Sequence, residues 1–154
     1  WLVITPISPF KQANKLTNYY TRFKIINNYC KKNSNIICSD VEFNLNPPYN
    51  TSDTLMYLNK EYPKTDFKII LGEDNLNTLH LWSNHELILE HKICVYPRKS
   101  LSKEKSKLIS HPNVNLYNAP IMEISSTLIR KNILEKISIS HLVPKEIEEM
   151  LIEK

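Results

Sequence analysis

Short apolar stretches alternate with helically spaced ones along the whole chain, and that alternation limits the fold more than any other feature. Trp1–Thr5, Ile36–Phe43, Phe67–Leu71, Ile93–Tyr96 and Val114–Tyr117 each read as a strand. Between them, Leu16–Lys31 has helical spacing, with Tyr19, Phe23, Ile26 and Cys30 sharing a face and Thr17 or Asn18 as cap. A polar, proline-bearing loop leads into a second helix, capped by Thr51, Ser52 or Asp53 and closed before Pro63. Leu76–His91 is helical with a break near Ser83-Asn84, Ser126–Leu134 is a further helix, and Pro144 opens a last one to about Ile152. Ser100–Lys107 reads as a charged, solvated loop or short helix. The strands are apolar on both faces, which marks a parallel sheet covered by helices on each side.

No repeat, low-complexity tract or linker interrupts this pattern, so the 154 residues read as a single α/β domain. The net charge is only +4 and the basic residues are scattered; no basic stripe interleaves with aromatics, which argues against nucleic acid. No apolar run approaches the roughly 20 residues that cross a bilayer. Three widely spaced cysteines, Cys30, Cys38 and Cys94, form no C-x-x-C; we read them as reduced thiols packed in the core of a cytoplasmic protein. Lysine greatly outnumbers arginine, which makes Arg22, Arg98 and Arg130 the more informative cations.

In parallel α/β sheets, ligands bind at the carboxyl ends of the strands. Those ends carry Thr5-Pro6, Gly72-Glu73-Asp74 and Tyr96-Pro97-Arg98. The loop beyond Tyr117 would deliver Ser125, Ser126 and Thr127 to the same edge. With Ser126 as cap, no acid stands three residues on, and Arg130 lies about one turn inside the helix. Free amides, hydroxyls and a forked cation together suit a phosphate. The plain alternative is a serine cap with Arg130 turned to solvent. Gly72, the sole glycine, follows the best strand; it allows a sharp turn or the close approach of a ligand. Asp74 could accept hydrogen bonds from ribose hydroxyls or merely cap the next helix. Trp82 is either core or a stacking platform for a flat ring. The five histidines are dispersed, and no metal-ligand spacing or Ser-His-Asp order stands out.

Taken together, "TPISPFK", "YYTRFKII", "PYNTSDTL", "LGEDNLNTLHLW", "VYPR", "ISSTLIR" and "LVPKEIEEMLIEK" resemble, in order and spacing, the bacterial nicotinate mononucleotide adenylyltransferases, members of the nucleotidyltransferase superfamily known for an H-x-G-H signature. The resemblance implies a Rossmann-like, doubly wound parallel sheet of nucleotidyltransferase type, here lacking its first strand. It implies transfer of the adenylyl group of ATP to nicotinate mononucleotide, with Mg2+ accompanying ATP and no covalent enzyme intermediate. It further implies that Ser125, Ser126, Thr127 and Arg130 hold the ATP phosphates and that Gly72 and Asp74 sit at the adenosine ribose. Thr51 and Trp82 would hold the nicotinate end, with Lys11 and Arg98 at a substrate phosphate or carboxylate. No resident metal is implied, and self-association is left open.

Two departures from the family pattern qualify this. Asn50 stands in the place of the family's tyrosine, with Tyr49 just before it. The glycine- and histidine-bearing signature segment is absent, so the catalytic residues are not assigned. Because that segment forms a central strand in the family, we expect roughly 30–40 further N-terminal residues in the natural protein, a strand with its crossover. Two other functions remain compatible with the residues. One is a non-catalytic nucleotide-binding relic; the other is transfer to a different phosphorylated acceptor such as phosphopantetheine.

Overall fold

A computed structural model describes residues 1–7, 17–98 and 106–152. The elements run β1 (Leu2–Val3), α1 (Tyr19–Lys31), β2 (Cys38–Ser39), α2 (Thr51–Glu61), β3 (Lys68–Gly72), α3 (Glu73–Thr78), α4 (His85–Leu89), β4 (Lys92–Tyr96), β5 (Val114–Leu116), α5 (Ser126–Leu134) and α6 (Lys145–Ile152). Short 3-10 turns cover Val41–Asn44, Leu79–Leu81 and Lys107–Ser110. Every strand pairing is parallel, in two sheets of order β1-β2 and β3-β4-β5. The chain divides into two compact units, one of Trp1–Tyr49 with Ile124–Lys154 and one of Asn50–Glu123.

In the first unit, Leu2 lies opposite Cys38 and Val3 opposite Ser39. The expected strand at 36–43 is cut short. Ser39 Oγ accepts from the Val41 amide at 3.3 Å, and the Phe43 amide donates to Asp40 O at 2.8 Å, turning the chain out of the ladder. The displaced Phe43 ring meets Tyr19, Tyr20 and Phe23 edge-on, with centroids 4.8, 5.5 and 5.6 Å away. Helix α1 starts at Tyr19 because Asn18 caps it, its Oδ1 accepting from the Tyr20 amide at 2.9 Å. Ile25 and Cys30 are its buried residues, so the inward stripe is centred one position before the expected Ile26. The helix packs on α6, where Lys32 and Glu146 approach to 3.8 Å. Of the cysteines, only Cys30 is buried; Cys38 and Cys94 are half-buried, and burial pushes the Cys38 thiol up to about 11.

Helix α5 ends with Lys136 in the left-handed region at φ 54°. The Lys136 amide donates to Ile133 O and the Ile137 amide to Asn132 O at 2.8 Å, a Schellman closure with lysine where glycine is usual. A side chain in that conformation costs about 1 kcal/mol. Lys136→Gly is therefore expected to raise stability by roughly that amount, as a urea denaturation midpoint would show.

In the second unit, Ile69, Leu71, Ile93, Val95 and Val114 share one face of the three-stranded sheet. Leu55 of α2, Leu76 of α3, Leu79, and Ile88 and Leu89 of α4 pack against it. All the helices of this unit thus serve one side. The opposite face is open at Ile70, which is 79% exposed although it sits in the middle of the most apolar strand. The expected helix over 76–91 begins earlier, at Glu73, and already ends at Thr78, before the expected break; a 3-10 turn follows, Asn84 takes a left-handed conformation, which asparagine tolerates, and α4 starts anew. Asn113 closes α4 by donating to Leu89 O at 2.8 Å. Among the described residues, no helix is long and apolar enough to cross a membrane.

Candidate functional site

The carboxyl ends of β3 and β4 are flush, Gly72 lying opposite Tyr96. Gly72 has an ordinary extended backbone, φ −76° and ψ 153°, so it is not there for a turn that only glycine can make. What it provides is room for two neighbouring side chains. A β-carbon at Gly72 would collide with Asp74 Oδ1 and come within 2.8 Å of Arg98 Cδ. Gly72 itself is the N-cap of α3, and Asp74 lies in the first turn, where the helix dipole favours an acid. Arg98 Nη1 stands 3.5 Å from Asp74 Oδ2, with the two side chains 44% and 53% exposed. The structure therefore brings Gly72, Asp74 and Arg98 into one cluster that water, and hence a ligand, can reach.

Helix α2 supplies Thr51 as its first residue, half-buried. Its cap is Asn50, not one of the hydroxyl or acidic residues at 51–53. The Asn50 side chain donates to Asp53 Oδ2 at 3.0 Å, and its carbonyl accepts from the Asp53 and Thr54 amides. Just before it, Tyr49 has φ 60°, a conformation costly for a bulky residue. Trp82 follows the 3-10 turn at Leu79–Leu81, its amide donating to Leu79 O at 2.9 Å. The indole is half-buried and packs against the hydrophobic cluster of its unit, leaving part of the ring accessible.

At the start of α5, the cap is Ser125; its Oγ accepts from the Leu128 amide at 3.1 Å. This corrects the choice of Ser126, and it moves Arg130 to the fifth of nine helical positions. Repulsion between Arg130 and the helix dipole is correspondingly weak, since that effect fades within the first turn. The chemistry that remains is local. The Leu128 and Ile129 amides are met by Ser125, which leaves those of Ser126 and Thr127 without an intrahelical acceptor. Ser125, Ser126, Thr127 and Arg130 are all exposed, and the first turn holds no acid. Arg130 leans back toward this end, its Nη2 3.5 Å from Thr127 Oγ1.

Arg22 has a role the sequence did not signal. Its Nη2 donates to Thr5 O at 2.7 Å and Pro6 O at 2.8 Å, and its Nε to Thr17 O at 3.1 Å. One guanidinium thus ties the carboxyl end of β1 to the start of α1, and its burial lowers its pKa. Lys11 lies outside the described residues. Among those described, no group of three or more His, Cys, Asp or Glu is placed to hold a metal ion.

No family model matches the chain. A Flavobacterium johnsoniae protein named "Probable nicotinate-nucleotide adenylyltransferase" is 43% identical over 152 residues, covering 98% of this chain and 79% of that one. Proteins of the same name from Flavobacterium psychrophilum and Cytophaga hutchinsonii are 40% and 41% identical, over 96% and 100% of this chain and 77% and 80% of theirs. Among solved structures, Plasmodium falciparum nicotinic acid mononucleotide adenylyltransferase complexed with NaAD superposes with a TM-score of 0.74 at 21% identity, covering 99% of this chain and 79% of that one. The same enzyme complexed with APC gives a TM-score of 0.71 at 24% identity over the same shares. At that identity the two structures speak for the fold.

Proposed function

Since the chain belongs to the nicotinate-nucleotide adenylyltransferases, we propose that its exposed polar edges bind ATP and nicotinate mononucleotide for deamido-NAD synthesis. The reaction is an in-line displacement at the α-phosphorus that releases pyrophosphate. It calls for positioning and charge neutralisation more than for covalent chemistry by the protein. We assign the phosphate oxygens of ATP to Ser125, Ser126, Thr127 and Arg130. The supporting observation is the α5 terminus itself: first-turn amides with no intrahelical acceptor, three exposed hydroxyls, a returning guanidinium and no acid within the first turn. Mg2+ enters as the counter-ion of ATP.

Gly72 and Asp74 are assigned to the adenosine ribose, whose paired hydroxyls match a half-exposed carboxylate. Thr51 and Trp82 are assigned to the nicotinate end. The Trp82 indole, anchored on one side by the core and accessible on the other, suits stacking on the pyridine ring. Lys11 is assigned to the mononucleotide's phosphate or carboxylate. Arg98 is expected beside it; its guanidinium also stands 3.5 Å from Asp74 Oδ2, and the titrations below separate the two roles. The ATP-dependent reaction and the unpaired Cys30, Cys38 and Cys94 support a cytoplasmic location.

The test is pyrophosphate release with ATP and a panel of acceptors, read beside calorimetric binding. Release with nicotinate mononucleotide and not with phosphopantetheine is the expected result. ATP binding with no turnover on any acceptor would make the chain a nucleotide-binding domain instead. Trp82→Ala is expected to weaken the mononucleotide roughly three- to tenfold, from stacking and lost area, and to leave ATP nearly unaffected. Equal losses for both ligands would mean damage to the fold.

A further inference from the structure

We propose that Arg98 is a positioning residue for the adenosine end: it holds the Asp74 carboxylate over Gly72 and acts on ATP through it, without touching the mononucleotide. The proposal rests on the assignment of Asp74 to the ribose.

Arg98 lies two residues past β4, whose last residue, Tyr96, is in register with Gly72. The arginine stem crosses the space a side chain at position 72 would fill; a β-carbon there would stand 2.8 Å from its Cδ and 3.6 Å from its Cγ. The same missing carbon makes room for Asp74 Oδ1, while Asp74 Oδ2 faces Arg98 Nη1 at 3.5 Å. So the two carboxylate oxygens are distinguished: one is taken up by the guanidinium, the other is laid across the glycine.

Half-exposed pairs of this kind contribute little to stability, so stability does not explain the arrangement. Orientation does. An ionised carboxylate has about four acceptor positions, and among the described residues Arg98 approaches it at one oxygen, Oδ2. The remaining positions stay available for two neighbouring hydroxyls, with the carboxylate already turned toward them. Without Arg98, the Asp74 side chain would have to be ordered by the ligand, and affinity would fall by the cost of that ordering. Lysine keeps the charge and the methylene stem over Gly72 but not the planar fork.

The experiment is a double-mutant cycle read by calorimetric titration with ATP and, separately, nicotinate mononucleotide. The variants are Arg98→Ala, Arg98→Lys, Asp74→Ala and the Asp74→Ala/Arg98→Ala pair. Arg98→Ala is expected to weaken ATP about three- to fivefold, the scale of a half-exposed ion pair, with the mononucleotide within twofold of the unchanged chain. Arg98→Lys is expected to recover part of that loss. In the Asp74→Ala background, removing Arg98 is expected to change nothing further. A second loss on that background, or a larger effect on the mononucleotide than on ATP, would overturn the proposal. Failure of the underlying assignment looks different: Asp74→Ala alone would leave ATP affinity unchanged.

Discussion

Replacing Arg130 with alanine is expected to weaken ATP binding by roughly 10- to 100-fold while leaving the melting temperature almost unchanged. Hydrogen bonds to charged groups contribute about 1.5–3 kcal/mol each, which sets that range. The guanidinium is exposed, and among the described residues it meets Thr127 Oγ1 at 3.5 Å, a long and weak contact. Little structure depends on it. Arginine and alanine are also both strong helix formers, so α5 itself loses almost nothing. The two readouts therefore separate, which would not happen for a residue that merely supports the fold. Arg130→Lys is the informative companion. It preserves the charge but loses the fork that can span two phosphate oxygens, so an intermediate affinity is expected. Titration of ATP into the three proteins, beside a thermal melt, checks this; unchanged affinity in Arg130→Ala removes the residue from the site.

Ile93→Ala is expected to cost about 2–5 kcal/mol, a large part of a typical total of about 5–15 kcal/mol. Ile93 is fully buried in β4, the central strand between β3 and β5, and faces the cluster of Leu71, Leu76, Leu79 and Ile88. Truncation removes transfer energy and leaves a cavity that two flanking strands prevent from closing. Ile70 is the control. It is the same residue type, on the neighbouring strand, one position out of step and 79% exposed. Ile70→Ala is expected to stay within about 0.5 kcal/mol. Urea denaturation of both variants decides the matter; equal losses would mean that Ile70 is covered in solution.

That contrast also shows where the sequence stops being informative. Ile69, Ile70 and Leu71 read as one continuous buried run, because periodicity cannot tell which side of a parallel strand receives its helices. Their burial depends on α2, α3 and α4 all docking on one side, a property of the connections. Helix α5, by contrast, was legible to the residue at both ends, Ser126 and Leu134, since apolar spacing and a hydroxyl start are local signals. Its cap was not, because three hydroxyls in a row offer three registers and only backbone geometry selects Ser125. Asn50 was missed at α2 for a related reason: Thr51, Ser52 and Asp53 were equally plausible caps by residue type. The motif order identified the adenylyltransferase family. The Asp74–Arg98 pair could not be read, since 24 positions separate its members and only the flush register of β3 and β4 brings them together.

The Arg22 clamp has an electrostatic consequence. Among the described residues its three anchors are backbone carbonyls, which carry partial charge but no net charge. Such anchors fix the guanidinium without neutralising it. A full positive charge is thereby planted beside Thr5 and Pro6, with its field reaching outward over about 8 Å at physiological ionic strength. The end of β1 is biased toward anions before any ligand arrives.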